Sequence, residues 1–187
     1  NCSGAITAQT GGLASGSSFP VGIHPIAYTV TDAFNNTATC SFNVIVADNQ
    51  SPSVTCQPAT ISLSAAGTGS ITTGDVFLSG SDNCGTVNLV SVSQSAFDCA
   101  NIGPNTVTLT VNDGNGNTNT CTATVTVQDV ITPSVICKPA TVSLSAAGTG
   151  SITTGDVFLS GSDNCGIVNV VSVSQSAFDC ANIGPNT

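Results

Sequence analysis

The sequence predicts an all-β protein built from tandem two-sheet sandwiches of 81 residues, each stapled by disulfide bonds. Three observations support this prediction. Residues 52–106 return at 133–187 with five differences, and the chain has nine cysteines. Short runs rich in Val, Ile and Thr are separated by Gly, Asn and Asp clusters, which is typical of strands and turns. No segment shows a helical period, so strands are the expected elements.

The repeat divides the chain into three parts. Residues 52–129 form one complete repeat, residues 133–187 form the N-terminal part of the next, and residues 1–48 form the C-terminal part of a more divergent repeat. The first part is recognised from TVTDAFNNTATCSFNVIVAD at 29–48, which aligns with TVNDGNGNTNTCTATVTVQD at 110–129. We therefore interpret the chain as a window onto a tandem array, cut within a repeat at both ends.

The strand-like runs of the complete repeat alternate between apolar and polar residues. The clearest are ATISLSA (59–65), VNLVSVSQ (87–94), NTVTLTVND (105–113) and TCTATVTVQD (120–129). Between the last two lies DGNGNTN, whose residues tolerate a positive φ, so this pair is predicted to form a hairpin. About seven short strands in each repeat suggest a two-sheet sandwich.

The composition excludes several classes of function. Ten acidic residues, all Asp, and one basic residue, Lys138, give a net charge of −9. Nucleic-acid binding needs clustered basic residues, and so does attraction to an anionic membrane surface, so neither partner is expected. No apolar run is long enough for a transmembrane helix.

The cysteines predict disulfide bonds and an oxidising compartment. In the complete repeat they are separated by 28, 15 and 22 residues, with no CxxC pair, which favours disulfides over a zinc site. They are Cys56, Cys84, Cys99 and Cys121 in the complete repeat, Cys137, Cys165 and Cys180 in the third part, and Cys2 and Cys40 in the first.

Strand parity suggests which cysteines pair, although four cysteines allow three pairings. Cys121 shares a strand face with Ala123 and other apolar residues, and Cys56 shares a face with Val54, so both should point into the core. We therefore predict a bond between Cys56 and Cys121. The remaining predicted bonds close short loops, from Cys84 to Cys99 and from Cys165 to Cys180.

Calcium is the one cofactor that the side chains suggest, and none is required. Asp113, Asn115 and Asn117 alternate as in a calcium loop, but the chain has no Glu to complete an EF-hand. A hairpin turn with local hydrogen bonds is the favoured interpretation of this segment. A second candidate group comprises Asp75, Asp82 and Asn83, with Asp48 or Asp129 added from the end of the preceding repeat.

The chain resembles the hyalin repeat, an immunoglobulin-like module. The resemblance is carried by TCQP (55–58), SDNCG (81–85) and the segment from FPVG at 19–22 to Asp48. The 81-residue units differ by adding Cys99 within FDCANIG (97–103), where the first part has FPVG. In this they are similar to arrays in very large secreted surface proteins of gliding bacteria, including their mobile adhesins.

The resemblance implies an extracellular, cell-surface role in attachment or surface motility, with the repeats forming an adhesive stalk. It supplies no catalytic residues, and the single His24 has no partner for hydrolase chemistry, so the protein is not expected to be an enzyme. The expected partners are neighbouring repeats and an unidentified surface glycan or protein. Two alternatives stay open: repeats that bind such ligands themselves, with or without calcium, and subunits of a self-assembling extracellular filament.

Overall fold

The structure is a computed structural model that describes residues 5–185. The chain divides into two compact units, and the division runs through the complete repeat. Unit 1 comprises Asn1–Gln57, Thr73–Ser93 and Thr108–Ala123. Unit 2 comprises Pro58–Thr72, Gln94–Val107 and Thr124–Thr187. No helix within residues 5–185 is long and apolar enough to cross a membrane.

The first part of the chain, in unit 1, is a three-stranded antiparallel sheet. Its strands are β1 (Ile6–Gly11), β2 (Gly22–Thr31) and β3 (Thr37–Val46), paired in the order β1-β2-β3. The turn between β2 and β3 is closed by the backbone N–H of Asp32, which donates to the carbonyl O of Asn36 at 3.0 Å. Asn35 takes the left-handed conformation there (φ 65°), which Asn tolerates better than most residues.

The complete repeat is also built from short strands. They are β4 (Ser53–Cys56), β5 (Ala59–Ser62), β6 (Thr68–Ser70), β7 (Phe77–Ser81), β8 (Asn88–Val92), β9 (Ala96–Asp98), β10 (Gly103–Asn112) and β11 (Thr118–Gln128). Two short turns interrupt them, the helical turn α1 (Thr73–Val76) and a 3-10 turn at Cys99–Asn101. The four strand-like runs of the sequence correspond to β5, β8, β10 and β11, so the all-β prediction is confirmed.

These strands form one larger sheet and two small ones. The larger sheet has the order β5-β11-β10-β8, and the small ones pair β4 with β7 and β6 with β9. β5 runs parallel to the end of β11, with Ala59 opposite Val125. β8 runs antiparallel to β10, with Val92 opposite Leu109.

Alternation along β10 and β11 explains how the repeat buries apolar side chains. On β10, Val107, Leu109 and Val111 are fully buried, and the residues between them are not. β11 buries Ala123, Val125 and Val127 in the same way. Because successive side chains of a strand point to opposite faces, each strand presents one apolar face and one face rich in Thr. Burial of each of these Val or Leu side chains contributes about 1.5–3 kcal/mol.

The third part of the chain, in unit 2, repeats the first half of the complete repeat. Its elements are β12 (Ser134–Cys137), β13 (Thr149–Ser151), the helical turn α2 (Thr154–Val157), β14 (Phe158–Ser162), β15 (Ala177–Asp179) and a 3-10 turn at Cys180–Asn182. β12 pairs with β14 and β13 with β15, in the registers of β4 with β7 and β6 with β9.

The third part lacks counterparts of β5, β8, β10 and β11 among its described residues, and its apolar side chains are less covered. Leu63, Ile71 and Phe97 of the complete repeat are buried. Their counterparts, Leu144, Ile152 and Phe178, are only partly buried and line an open groove. In the complete repeat, β5 pairs with β11 and β8 pairs with β10, so the strands without counterparts in the third part are those of the four-stranded sheet.

The disulfide bonds agree with the sequence prediction at one pair and differ at the others. The structure contains the bond between Cys56 and Cys121. The predicted bonds Cys84–Cys99 and Cys165–Cys180 are wrong, because Cys99 is instead bonded to Cys165. The free cysteines of the described residues, all exposed, are Cys40, Cys84, Cys137 and Cys180. Cys2 lies outside the described residues.

The length of β10 explains why Cys84 and Cys99 do not pair. Cys84 lies beside the turn that follows β10, where its carbonyl O accepts a hydrogen bond from Asn115 Nδ2 at 3.3 Å. Cys99 lies four residues before β10 begins, and its Sγ is 3.7 Å from the carbonyl O of Gly67. A ten-residue strand is about 33 Å long, so the neighbours of the two cysteines lie at opposite ends of the strand.

Candidate functional site

Three carboxylates meet where the first part of the chain joins the complete repeat. Asp48 follows β3, Asp82 follows β7 and Asp113 follows β10. One carboxylate oxygen of each lies within 4.8 Å of those of the other two. The sequence had placed Asp113 in one candidate group and Asp82, with Asp48 as an addition, in another. The fold combines the two groups because the three strands end at the same place within unit 1.

Asp113 is the most buried member of this acidic cluster, and hydrogen bonds fix its orientation. Its side chain is 2% exposed. Oδ1 accepts from the backbone N–H groups of Asn115 (2.8 Å) and Asn117 (3.0 Å), and Oδ2 accepts from Asn117 Nδ2 (2.6 Å). Burial opposes ionisation, but the hydrogen bonds from Asn117 and Asn115 outweigh it and hold the pKa of Asp113 below its ordinary value. Asp113 is therefore ionised at neutral pH.

The same turn in the first part of the chain shows that this hydrogen-bond pattern is structural. Asp32 accepts from the backbone N–H groups of Phe34 and Asn36, each at 2.8 Å, and from Asn36 Nδ2 at 2.9 Å. These bonds, led by the Asn36 side chain, lower the pKa of Asp32 as well. The favoured interpretation of DGNGN as a hairpin turn with local hydrogen bonds thus agrees with the structure. Asp113 differs from Asp32 in its burial and its two carboxylate neighbours.

Asp48 connects the first part of the chain to this turn. Its Oδ2 accepts from Asn115 Nδ2 at 3.2 Å, and its carbonyl O accepts from Asn117 Nδ2 at 3.1 Å. A further amide, Asn119 Nδ2, donates to the carbonyl O of Pro52 at 2.8 Å. Three Asn side chains from one turn and the start of β11 therefore hold the connection between the two repeats in place.

Asp82 has an oxygen that the described residues leave without a partner. Its Oδ2 accepts from the backbone N–H of Cys84 at 2.9 Å, whereas its Oδ1 is buried and accepts no hydrogen bond. The third part repeats this arrangement, since Asp163 Oδ2 accepts from the N–H of Cys165 at 3.2 Å and Asp163 Oδ1 is buried without a partner. An unpaired buried oxygen of an acidic group is costly, so the Oδ1 atom of Asp82 is free to accept a further partner. Asp163 shares this feature of the loop but does not belong to a group of three carboxylates among the described residues.

The acidic cluster has the chemistry of a site for a hard cation. Carboxylates this close repel one another unless a proton or a cation lies between them. Ca²⁺ takes six to eight oxygen ligands, and each carboxylate offers about four acceptor positions. Three of the acceptor positions of the Asp113 carboxylate are occupied by hydrogen bonds within the turn, so one remains for a cation. The Oδ1 atom of Asp82 is the other oxygen best suited to such an ion.

The remaining candidate residues of the sequence analysis do not all join this cluster. Asp75 lies in α1, and Asn83 is exposed beside Asp82. Asn115 and Asn117 orient the carboxylates through their amide N–H groups. Asp129, the counterpart of Asp48, accepts from the N–H of Ile131 at 3.1 Å and is not part of the cluster.

Sequence reasoning missed Asp163 and Asn164, although the signal was present. Both lie in the second copy of SDNCG, identical to residues 81–85. Asn164 Nδ2 donates to the carbonyl O of Ser64 at 3.2 Å, beside the bond between Cys99 and Cys165. A contact between successive copies could have been considered once the repeat was found. Nothing in the spacing within one copy indicates it.

Comparisons with known proteins agree with the repeat analysis. The family model described as the HYR domain matches twice, over residues 1–46 and 47–127. Hyalin of Strongylocentrotus purpuratus is 38% identical over 109 residues, which cover 57% of this chain and 9% of hyalin. The chain thus spans only a small share of that relative. An endo-fucoidan hydrolase from glycoside hydrolase family 107 matches over 68% of this chain and 24% of its own, at 13% identity and a TM-score of 0.27. A TM-score this low does not show a shared fold.

Proposed function

Because the chain belongs to the HYR domain family, we propose that it is an adhesive repeat region of a secreted cell-surface protein. In this proposal the repeats form a stalk that serves attachment or surface motility, as the resemblance to the adhesins of gliding bacteria implies. The tandem repeats, the disulfide bonds and the family support it. Its partners are neighbouring repeats and a surface glycan or protein, and no enzymatic activity is included.

One observation supports a mechanical role most directly. The bond between Cys99 and Cys165 joins one repeat to the next in addition to the peptide chain. The connecting segments, 49–52 and 130–133, are short and end in Pro, which fixes φ and restricts the preceding residue. A stalk under load needs joints that transmit force without separating, and a covalent cross-link at the joint meets that need.

Electron microscopy of the native full-length protein tests the stalk. We expect isolated thin rods, one repeat wide, projecting from cells and remaining single after gentle release. A regular polymer of many chains would contradict the stalk and favour the filament, since lateral contacts between repeats would then be the functional surfaces. A matched sample treated with reductant shows whether the disulfide bonds maintain the rods.

The proposal includes a calcium ion at the acidic cluster of Asp48, Asp82 and Asp113. The buried, unpaired Oδ1 of Asp82 and the mutual repulsion of three carboxylates support it. A bound Ca²⁺ would attach Asp48, at the end of one repeat, to Asp82 and Asp113 of the next. Calcium would then stiffen a connection whose described residues include no disulfide bond across it.

Isothermal titration with Ca²⁺ tests this site on the purified chain. We expect Asp82→Asn to weaken calcium binding by at least about tenfold, because a metal-binding oxygen of the buried carboxylate is lost. The matched control is Asp163→Asn, which changes the same position of the next copy, outside the cluster, and should leave the affinity unchanged. Equal effects of the two substitutions, or no binding by the unaltered chain, would refute the calcium site.

A further inference from the structure

Two segments make the joint between the complete repeat and the third part. The docking loop is residues 162–166, and the receiving turn is residues 64–68 together with Cys99. Asn164 Nδ2 donates to the carbonyl O of Ser64 at 3.2 Å, the carbonyl O of Asn164 lies 3.3 Å from Cys99 Sγ, and Cys165 is bonded to Cys99. Both segments lie in unit 2.

The absence of a side chain at Gly67 leaves space for the docking loop. Its φ of 73° is in the left-handed region, where a side chain is strained. A Cβ at this position would lie 2.8 Å from Cys99 Sγ and 3.1 Å from the carbonyl O of Asn164. The absence of a side chain therefore lets the loop approach the turn and lets the two sulfurs meet.

The third part carries a second receiving turn, residues 145–149 with Cys180. Its sequence is identical to that of residues 64–68. Its backbone is also preformed: Gly148 has a φ of 73°, and its N–H donates to the carbonyl O of Ser145 at 2.9 Å, as Gly67 does to Ser64 at 2.8 Å. A Cβ on Gly148 would lie 2.9 Å from Cys180 Sγ, which reproduces the space beside Cys99.

Burial distinguishes the occupied copies from the open ones. Gly67 is buried and Cys99 is partly buried, whereas Gly148 is partly buried and Cys180 is exposed. The docking loops differ in the same way, since Cys165 is partly buried and Cys84 is exposed. Asn164 and Cys165 lie beside Gly67, whereas no docking loop atom among the described residues lies within 4 Å of the Cβ position of Gly148.

We propose that the receiving turn at Cys180 is a covalent docking site for a Ser-Asp-Asn-Cys-Gly loop of another repeat of this kind. The Asn amide is recognised by the carbonyl O of Ser145, and the Cys forms a disulfide bond with Cys180. Two thiols release two protons and two electrons to a disulfide oxidant, which is reduced to two thiols. The rule is that a repeat with FDCANIG bonds the following repeat, and a repeat with FPVG does not.

The rule also explains why Cys84 is a free thiol. The part of the chain that precedes its loop has FPVG at 19–22 where the later copies have FDCANIG, so it offers no cysteine of the Cys99 type. The joint before Cys84 instead carries the Asn115 and Asn117 contacts to Asp48. One chain thus contains a covalent joint and a non-covalent joint, and a short insertion decides which of them forms.

A thiol exchange experiment on the whole chain tests the docking site. The probe is a peptide with the sequence of residues 79–87, whose cysteine is activated as a mixed disulfide with thionitrobenzoate. The Cys180 thiolate attacks the peptide sulfur, the thionitrobenzoate thiolate leaves with the electron pair, and the Cys180 proton goes to solvent. Peptide mapping then measures the rate at each free cysteine.

We expect the peptide to react about fivefold faster at Cys180 than at Cys137, which is also exposed but has no receiving turn. A control peptide with Ala in place of Asn83 should lose this preference, because the hydrogen bond to Ser145 is removed. Gly148→Ala should abolish it as well. Equal rates at Cys180 and Cys137, or a preference shared by both peptides, would show intrinsic thiol reactivity alone and overturn the proposal.

Discussion

Trypsin should cut the Pro139→Ala variant at one peptide bond and leave the two pieces joined until a reductant is added. Lys138 is the only basic residue of the chain, and the proline that follows it protects its peptide bond in the unaltered sequence. Substitution of the proline creates one cleavage site, which separates residues 1–138 from 139–187. The bond between Cys99 and Cys165 crosses that site, so the pieces stay together.

The experiment distinguishes the bonds of the structure from those expected from the sequence. Free thiols are first alkylated, and digestion is done in urea without reductant, so that folding does not protect the site. Mass spectrometry then detects one joined species or two fragments. Cys99→Ala in the Pro139→Ala background is the matched control and should release the fragments directly. Release without that substitution would support local pairing of Cys165 with Cys180 and refute the joint between repeats.

Removal of the bond between Cys56 and Cys121 should strongly destabilise the complete repeat. The bond joins residues 65 apart, β4 to β11. A loop of that length in the unfolded chain corresponds to a stabilisation of about 4 kcal/mol in the chain-entropy model. We expect the double variant Cys56→Ala with Cys121→Ala to lose about 2–4 kcal/mol of unfolding free energy, measured by urea denaturation.

Cys84→Ala is the matched control for that measurement. Cys84 is exposed and unbonded, so its substitution should change the unfolding free energy by less than about 0.5 kcal/mol. A loss as large as that of the double variant would show that Cys84 carries a structural bond in solution. That result would contradict the free thiol of the structure and agree with the predicted bond between Cys84 and Cys99.

The strands of the complete repeat could be predicted because their signal is local. Val107, Leu109 and Val111 alternate with Thr residues, and the same alternation marks β11, so period and composition agree. The same parity placed Cys56 and Cys121 on inward faces and led to the correct bond. The helical turn α1 was not predicted, because four residues are too few to show a helical period.

The acidic cluster could be predicted only in pieces. Asp113 and Asp82 were identified as oxygen ligands from their neighbours in sequence, but the two were assigned to separate sites. They are 31 residues apart, and only the convergence of β7 and β10 brings their carboxylates within reach of one another. Burial of the Asp82 Oδ1 atom also depends on how the chain packs, so it could not be predicted from a sequence pattern.

By itself, the sequence determined the repeat, the all-β class, the hyalin-type family and the bond between Cys56 and Cys121, because these depend on order and alternation along one chain. Only the tertiary structure decided that Cys99 bonds to Cys165 and that Asp48 meets Asp82 and Asp113. These contacts depend on which ends of the strands face the neighbouring repeat. The length of the strands and the packing of one copy on the next decide which strand ends face the neighbouring repeat. The spacing of residues within a single copy predicts neither of these properties.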